Sequence, residues 1–162
     1  MKNLLLMRHA KSSWNDPYLA DHDRPLNSRG KSDAPRMGKF VASIECVPEV
    51  ILCSTAKRAK QTVEYFLQEC PLEGEVIYKQ SLYHGGAEDF INELVHLDTA
   101  LMNVMIVGHN PGMEDAIEEF CGANEHMPTA SIAHIKLDLE KWEEINENSS
   151  GDLENLWRPR EI

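Results

Sequence analysis

Short apolar runs alternate with longer stretches of helical periodicity along this chain of 162 residues. Residues 3–7, 49–53 and 104–107 have strand length and are apolar at their centres, as expected for parallel strands covered on both faces. Residues 76–79 are a weaker strand candidate. Four groups of apolar residues between or after these runs recur at helical spacing: Met37, Phe40, Val41 and Ile44; Ala59, Val63, Phe66 and Cys70; Phe90, Ile91, Leu94 and Val95; Met113, Ala116, Ile117 and Phe120. This alternation predicts an α/β layer fold with a mostly parallel sheet.

Several residues mark the expected ends of the helices. Ser54 or Thr55 can cap the second helix, Pro111 opens the fourth, and Gly122 ends it. Pro35 either delays the start of the first helix or kinks it, because proline cannot donate a backbone hydrogen bond.

The last part of the chain predicts an antiparallel edge hairpin. Residues 132–139 alternate like a strand with one wet face, and residues 153–157 can return beside it. The turn-rich residues 146–151 would form the loop. A chain of this length can bury roughly 70% of its unfolded surface, so we expect residues 1–162 to form one domain.

The net charge limits the classes of partner. Sixteen Lys and Arg against 27 Asp and Glu give −11, whereas nucleic acids and anionic membranes require a basic surface. A small anionic ligand remains compatible with this charge, because local charge can oppose net charge within a Debye length of about 8 Å. No apolar run is long enough for a signal sequence or a membrane span, so we expect a cytoplasmic protein that binds neither nucleic acid nor membrane.

Basic side chains follow the predicted strands at the points where they end. Ligands of such sheets bind outside the carboxyl ends of the strands, so these side chains should converge on one crevice. They are Arg8 and His9 after the first strand, Arg58 shortly after the second, His84 after the third and His109 after the fourth.

Two arginines and up to three histidines in one crevice suit a phosphoryl group. Arginine grips phosphoryl oxygens bidentately, and a neutral imidazole can attack phosphorus while a protonated neighbour pairs with an oxygen. Phosphoryl transfer needs mainly positioning and charge stabilisation, so this set requires neither a metal ion nor another cofactor.

Four segments in this order resemble the histidine phosphatase superfamily, and most of all its SixA-type phosphohistidine phosphatases. The resemblance also includes Trp142 and residues 157–160 (WRPR). It implies a three-layer α/β/α sandwich of the phosphoglycerate mutase-like type. The four segments are residues 8–12 (RHAKS), residues 24–26 (RPL) with Gly30, residues 54–62 (STAKRAKQT) and residues 107–112 (VGHNPG).

The resemblance also implies residue roles. His9 would be the phosphorylated nucleophile, and Arg8, Arg58 and His109 would complete the phosphate pocket. Asn15 resembles a polar residue that some members place beside the phosphate, and we include it as a candidate substrate-binding residue.

Two positions depart from the family pattern. Ala10 replaces a commoner glycine, which leaves the chemistry unaffected. His84 stands where ester-cleaving members have a glutamate acid, so the general acid is His84, Glu88, Asp89 or none of them. Phosphohistidine releases imidazole and depends less on such an acid than an ester does. The short connections also leave no room for a lid, which favours a phosphoryl group presented by another protein.

Alternatives to this function remain open. The chain could hydrolyse a small phosphate ester, or it could bind a phosphate or phosphoprotein without catalysis. A cysteine phosphatase is excluded, because four residues separate Cys53 from Arg58 where that loop needs five. We expect a monomer, a structural role for Arg24 beside Asp21 or Asp23, and ordinary roles for the histidines that lack metal-ligand spacing, His22, His96, His126 and His134.

Overall fold

The computed structural model describes residues 1–162 and contains one six-stranded sheet with helices on both faces. The strands are β1 (Lys2–Arg8), β2 (Val50–Ser54), β3 (Val76–Lys79), β4 (Asn103–Gly108), β5 (Ile132–Leu137) and β6 (Gly151–Trp157). The helices are α1 (Ser28–Ser43), α2 (Lys57–Leu67), α3 (Ala87–Leu94) and α4 (Gly112–Cys121). No helix is both long enough and apolar enough to cross a membrane.

The strand order is β3-β2-β4-β1-β5-β6. Strands β1 to β4 are mutually parallel, and β1 pairs with β4 in a register that places Leu5 opposite Met105. Strand β5 runs antiparallel to β1, and β6 antiparallel to β5. The predicted mostly parallel sheet with an antiparallel edge hairpin is therefore confirmed, and β1 lies inside the sheet with β4 on one side and β5 on the other.

Alternate residues of the central strands enter two separate cores. Leu5 and Met7 pack with α1 and α2, whereas Leu4 and Leu6 pack with α3 and α4. Both faces of β1 are thus buried, which is why its sequence is continuously apolar instead of alternating. The three-layer sandwich implied by the family resemblance is confirmed.

The hairpin loop is longer than predicted. Strand β5 ends at Leu137 and β6 begins at Gly151, so the connection includes residues 138–150 instead of 146–151 alone. Leu139 and Trp142 fold back into the core on the α3 and α4 side, which takes this segment out of the strand.

Of the two alternatives at Pro35 the late start of the first helix is wrong, and so is the predicted cap of the second helix. Helix α1 begins before Pro35, because the Asn27 side chain accepts a hydrogen bond from the Gly30 N–H at 2.9 Å and caps the helix there. The residue that caps α2 is Ala56, with no side-chain hydrogen bond, because the hydroxyls of Ser54 and Thr55 are engaged elsewhere. Helix α4 follows Pro111 and ends at Gly122 in the left-handed region, as predicted.

Candidate active site

The end of β1 presents a buried histidine in one tautomer. His9 follows β1, and its backbone N–H donates to the Gly108 carbonyl of the neighbouring strand end at 2.9 Å. Its Nδ1 lies 2.7 Å from the Ala10 carbonyl oxygen, which can only accept, so Nδ1 carries the proton. The other ring nitrogen, Nε2, is therefore unprotonated and has the lone pair that a nucleophile needs.

His109 lies opposite His9 at the end of β4. The two ring centroids are 5.1 Å apart, and both side chains are buried. The Nε2 atom of His109 lies 2.8 Å from Ser54 Oγ, which also accepts the Ala56 N–H. When the Ser54 hydroxyl donates its proton to Nε2, Nδ1 of His109 carries the ring proton. It is buried without a protein partner and is available to a phosphoryl oxygen.

Both histidines are neutral near pH 7 in this structure. Burial lowers the pKa of each to about 3, and the positive charges of Arg8 and Arg58 act in the same direction. The sequence favours a pair in which one histidine is neutral and the other protonated. The structure differs because neither ring has a carboxylate partner that offsets its loss of solvent.

Two arginines lie with His9 and His109, and we call these four residues the phosphate-binding group. Arg8 ends β1, donates from Nη1 to the Met127 carbonyl at 3.0 Å, and keeps a buried Nε without a partner. Arg58, in the first turn of α2, donates to the Asp21 carbonyl at 2.7 Å and to the Asp21 carboxylate at 3.0 Å. The structure thus brings together four predicted residues, His9, His109, Arg8 and Arg58.

Asp21 also lies at the site, although no sequence motif marks it. Its carboxylate accepts hydrogen bonds from Tyr83, Arg58 and Arg24. The Tyr83 hydroxyl and the two arginines hold the pKa of Asp21 well below its usual range, so this group stays ionised and cannot donate a proton. Arg24 also donates to Ser12 Oγ at 2.7 Å, which agrees with the structural role expected for it.

Thr62 joins α2 to the segment that carries His9. Its hydroxyl accepts the Ala10 N–H at 2.9 Å and donates to the Arg58 carbonyl at 2.7 Å. One buried hydroxyl therefore sets the spacing between the nucleophile and an arginine. Thr62 is the last residue of the segment 54–62 that resembles the family, but the resemblance implied no role for it.

Glu114 orders the loop that faces Arg8. Its Oε2 accepts from the Met127 N–H at 2.8 Å, the Asn110 side chain at 2.8 Å and His126 Nδ1 at 3.1 Å. The carbonyl of Met127 is the acceptor for Arg8, so Glu114 fixes the arginine indirectly. No pattern in the sequence marks Glu114 or Asp21, because both act through side-chain contacts between distant segments.

The segment after β3 places His84 beside the site. The centroids of the Tyr83 and His84 rings are 4.0 Å apart with their planes tilted by 31°, and Tyr83 also meets His109 edge-on at 5.5 Å. Of the carboxylic acids considered, Asp89 accepts the Gly86 N–H at 3.1 Å and caps α3, while Glu88 lines a separate surface cavity with Ile91 and Asn146. His84 therefore remains at the site, and the two carboxylates are directed elsewhere.

Asn15 is not brought into this group. It lies in an exposed loop, where its backbone N–H donates to Ser13 Oγ at 3.0 Å. Its side chain forms no hydrogen bond with His9, His109, Arg8 or Arg58, and its role in binding stays a prediction.

The remaining histidines and cysteines have other surroundings. His22 bonds to Thr55, His126 to Glu114 and His134 to Asn3, and no group of three or more His, Cys, Asp or Glu side chains could hold a metal ion. Cys53 is buried in β2, and burial raises the pKa of its thiol. A protonated, buried thiol is a poor nucleophile, which agrees with the exclusion of cysteine phosphatase chemistry.

Known proteins are similar to this chain in sequence or in fold. An uncharacterized chloroplast protein of Arabidopsis thaliana is 30% identical over 152 residues, which cover 88% of this chain and 70% of that protein. An uncharacterized protein of Mycobacterium tuberculosis is 31% identical over 144 residues, covering 81% of this chain and 87% of that protein. The family model of the histidine phosphatase superfamily (branch 1) matches residues 4–82. The chain belongs to the histidine phosphatase superfamily.

Solved structures place this histidine phosphatase with the SixA type. The candidate phosphohistidine phosphatase SixA of Nakamurella multipartitia is 25% identical, with a TM-score of 0.85. The match covers 98% of this chain and 96% of that chain. The corresponding candidate from Agrobacterium tumefaciens is 27% identical with a TM-score of 0.83, and the match covers 98% of both chains. The chain is therefore a histidine phosphatase of the SixA type.

Proposed function

We propose that this protein removes the phosphoryl group from phosphohistidine on another protein, through a phosphohistidine intermediate at His9. The observation that carries the proposal is the absence of a proton-donating carboxylic acid at the position after β3, where His84 stands instead. Asp21 is held ionised, Asp89 caps a helix, and Glu88 lines another cavity. An alkyl phosphate ester needs such a donor to avoid expelling an alkoxide, whereas phosphohistidine releases imidazole.

The first step transfers the phosphoryl group to His9. The lone pair on Nε2 of His9 forms the new P–N bond while the P–N bond of the substrate breaks. The electron pair of the broken bond goes to the substrate imidazole. Nδ1 of His9 keeps its proton through the hydrogen bond to the Ala10 carbonyl, so the phosphorylated ring is cationic. The phosphorylated ring is then a good leaving group for the second step.

The second step returns the enzyme to its starting state. A water oxygen attacks phosphorus, the bond to Nε2 breaks with its electron pair returning to His9, and the water protons leave on inorganic phosphate and to solvent. Arg8 and Arg58 supply positive charge to the phosphoryl oxygens in both steps. We propose that this charge is sufficient without a metal ion.

His109 changes its role when a dianion binds. Its pKa of about 3 keeps it neutral in the structure described here. A phosphoryl dianion beside the unpaired Nδ1 favours the charged ring, since an opposite charge at short range raises the pKa of an imidazole. His109 would thus become the cationic partner of the phosphoryl group only in the complex.

The decisive experiment compares two substrates, a peptide containing phosphohistidine and para-nitrophenyl phosphate. We expect the protein to turn over both, with the higher kcat/KM for phosphohistidine. His9→Gln should lower both values by at least about 10³-fold, because it removes the nucleophile. The matched control is His96→Gln, an exposed histidine outside the site, which should leave both values unchanged.

Three other results would contradict the proposal. Faster turnover of the ester, with none of phosphohistidine, would identify a small-molecule phosphatase. Binding of the phosphopeptide without turnover of either substrate would identify a binding module. Equal turnover by His9→Gln and the unmodified protein would remove His9 from the mechanism.

A further inference from the structure

A small cleft opens beside the phosphate-binding group, with His109 in its wall. Its volume is about 220 Å³, and it lies between residues 83–86 after β3 and the start of α4. None of His9, Arg8 and Arg58 lines this cleft. The cleft is therefore an adjoining compartment that shares His109 with the phosphoryl site.

Backbone segments in close contact form the walls of this cleft. A Cβ atom on Gly112 would lie 1.8 Å from the Gly85 carbonyl oxygen, so only glycine permits this approach of α4 to the segment after β3. Asp89 fixes the other side of the segment through the Gly86 N–H at 3.1 Å. The shape of the cleft thus follows from fixed backbone and not from mobile side chains.

The lining suits a small, flat, cationic group. The volume is below the 300 to 1,000 Å³ typical of sites for larger ligands, and it fits a ring the size of imidazole. The rings of Tyr83 and His84, with centroids 4.0 Å apart and planes tilted by 31°, form an aromatic wall, and Asp115 is the one carboxylate in the lining. Asp115 is exposed in the first turn of α4, where the helix dipole favours negative charge.

We propose that this cleft is the leaving-group subsite and that the Asp115 carboxylate accepts a hydrogen bond from the substrate imidazole, holding that ring in its cationic form. The inference rests on the proposed function and adds a residue that selects the leaving group. It also gives the cleft a substrate class, N-phosphorylated imidazole.

The chemistry of the leaving group explains why a carboxylate is useful there. When the phosphorylated ring carries a proton on its other nitrogen, cleavage of the P–N bond releases neutral imidazole. Without that proton the same cleavage must release an imidazolate anion, which is a much poorer leaving group. An adjacent carboxylate keeps the proton on the ring by raising its pKa, so the reactive form persists to higher pH.

Other ionisable side chains lie in the cleft or on the elements that pack against α4. Tyr83, His84 and His109 line the same cleft, and Glu114, Glu118 and Glu119 lie on the same helix as Asp115. The elements that pack against α4 carry the following ionisable residues: Glu88, Asp89 and Glu93 on α3, His134 and Lys136 on β5, Asp152 and Glu154 on β6, and Lys2 and Arg8 on β1. A test of Asp115 must therefore hold all of these groups constant.

The experiment is a pH profile of kcat/KM for Asp115→Asn, with the phosphohistidine peptide and para-nitrophenyl phosphate as probes. The matched control is Glu118→Gln, which removes the same charge from the exposed face of α4 outside the cleft. For phosphohistidine, we expect the alkaline limb of Asp115→Asn to move about one unit to lower pH, giving about a tenfold loss at the alkaline end. Turnover of para-nitrophenyl phosphate should stay within about twofold, since nitrophenolate leaves without a proton.

Two results would overturn the inference. One is an equal loss on both probes, which would indicate a structural role for Asp115. The other is a profile for Asp115→Asn that matches Glu118→Gln. In both cases phosphohistidine turnover by the unmodified protein, and its loss in His9→Gln, would still support the proposed function, so the two failures are distinguishable.

Discussion

His9 and His109 are neutral because they are buried, although a carboxylate lies close by. The charge of Asp21 favours the charged form of His109, but the Asp21 carboxylate is already engaged by Arg58, Arg24 and Tyr83. Loss of solvent therefore dominates, and both pKa values fall to about 3. A neutral His9 keeps its lone pair at every pH at which the protein would operate.

These two histidines make the stability of the protein depend on pH. In the unfolded chain a histidine binds a proton near pH 6.5, whereas the folded protein does not bind it until about pH 3. Between these values the unfolded state holds more protons, so the free energy of unfolding decreases as the pH falls. Each histidine should contribute a slope approaching about 1.4 kcal/mol per pH unit below pH 6.

Urea unfolding at several pH values between 7 and 4.5 measures this slope. His9→Gln and His109→Gln should each show a smaller slope than the unmodified protein, by about 1.4 kcal/mol per pH unit at the acid end. The exposed His96→Gln serves as the comparison and should keep the full slope. Parallel slopes in all four proteins would mean that the buried histidines titrate in the folded state.

Four helices and six strands position the site, and the sequence predicts most of them. The apolar runs predict all strands of the parallel part because both faces of these strands are buried. The capping of α1 at Asn27 and of α2 at Ala56 was not predicted, because a side chain with several possible partners does not reveal in sequence which one it takes. The long hairpin loop was missed for a related reason, since Trp142 contributes to the core from outside any strand.

The contact between α4 and the segment after β3 requires glycine at position 112. Gly112→Ala would place a Cβ atom 1.8 Å from the Gly85 carbonyl and force α4 away from that segment. We expect a loss of about 1 to 3 kcal/mol in the free energy of unfolding and a lower kcat, because His109 begins the turn that leads into α4. Chemical denaturation and steady-state kinetics measure the two effects.

Gly86→Ala is the control from the same cleft. A Cβ atom at that position would have its nearest neighbour at 4.0 Å, and the backbone there is extended. This variant should change the free energy of unfolding little. If both variants lose the same amount of stability, the close approach at Gly112 is not what holds α4 against that segment.

The whole molecule has a net charge of −11, yet its site gathers positive charge at one edge of the sheet. Arg8 ends β1 and Arg58 begins α2, so the parallel arrangement of β1, β2 and β4 is enough to bring them together. Sequence motifs therefore predicted these two residues with His9 and His109. Asp21, Thr62 and Glu114 were not predicted, because their roles depend on hydrogen bonds between segments that only the folded chain brings into contact.

The most direct test of the account is to trap the phosphorylated protein and locate the phosphoryl group. The protein is mixed with a slight excess of phosphohistidine peptide, quenched in alkali, where phosphohistidine survives, and analysed by peptide mass spectrometry and phosphorus NMR. We expect the phosphoryl group on Nε2 of His9, formed as the peptide is consumed and absent in His9→Gln. A phosphoryl group on another residue, or consumption of the peptide without any phosphorylated protein, would contradict the account.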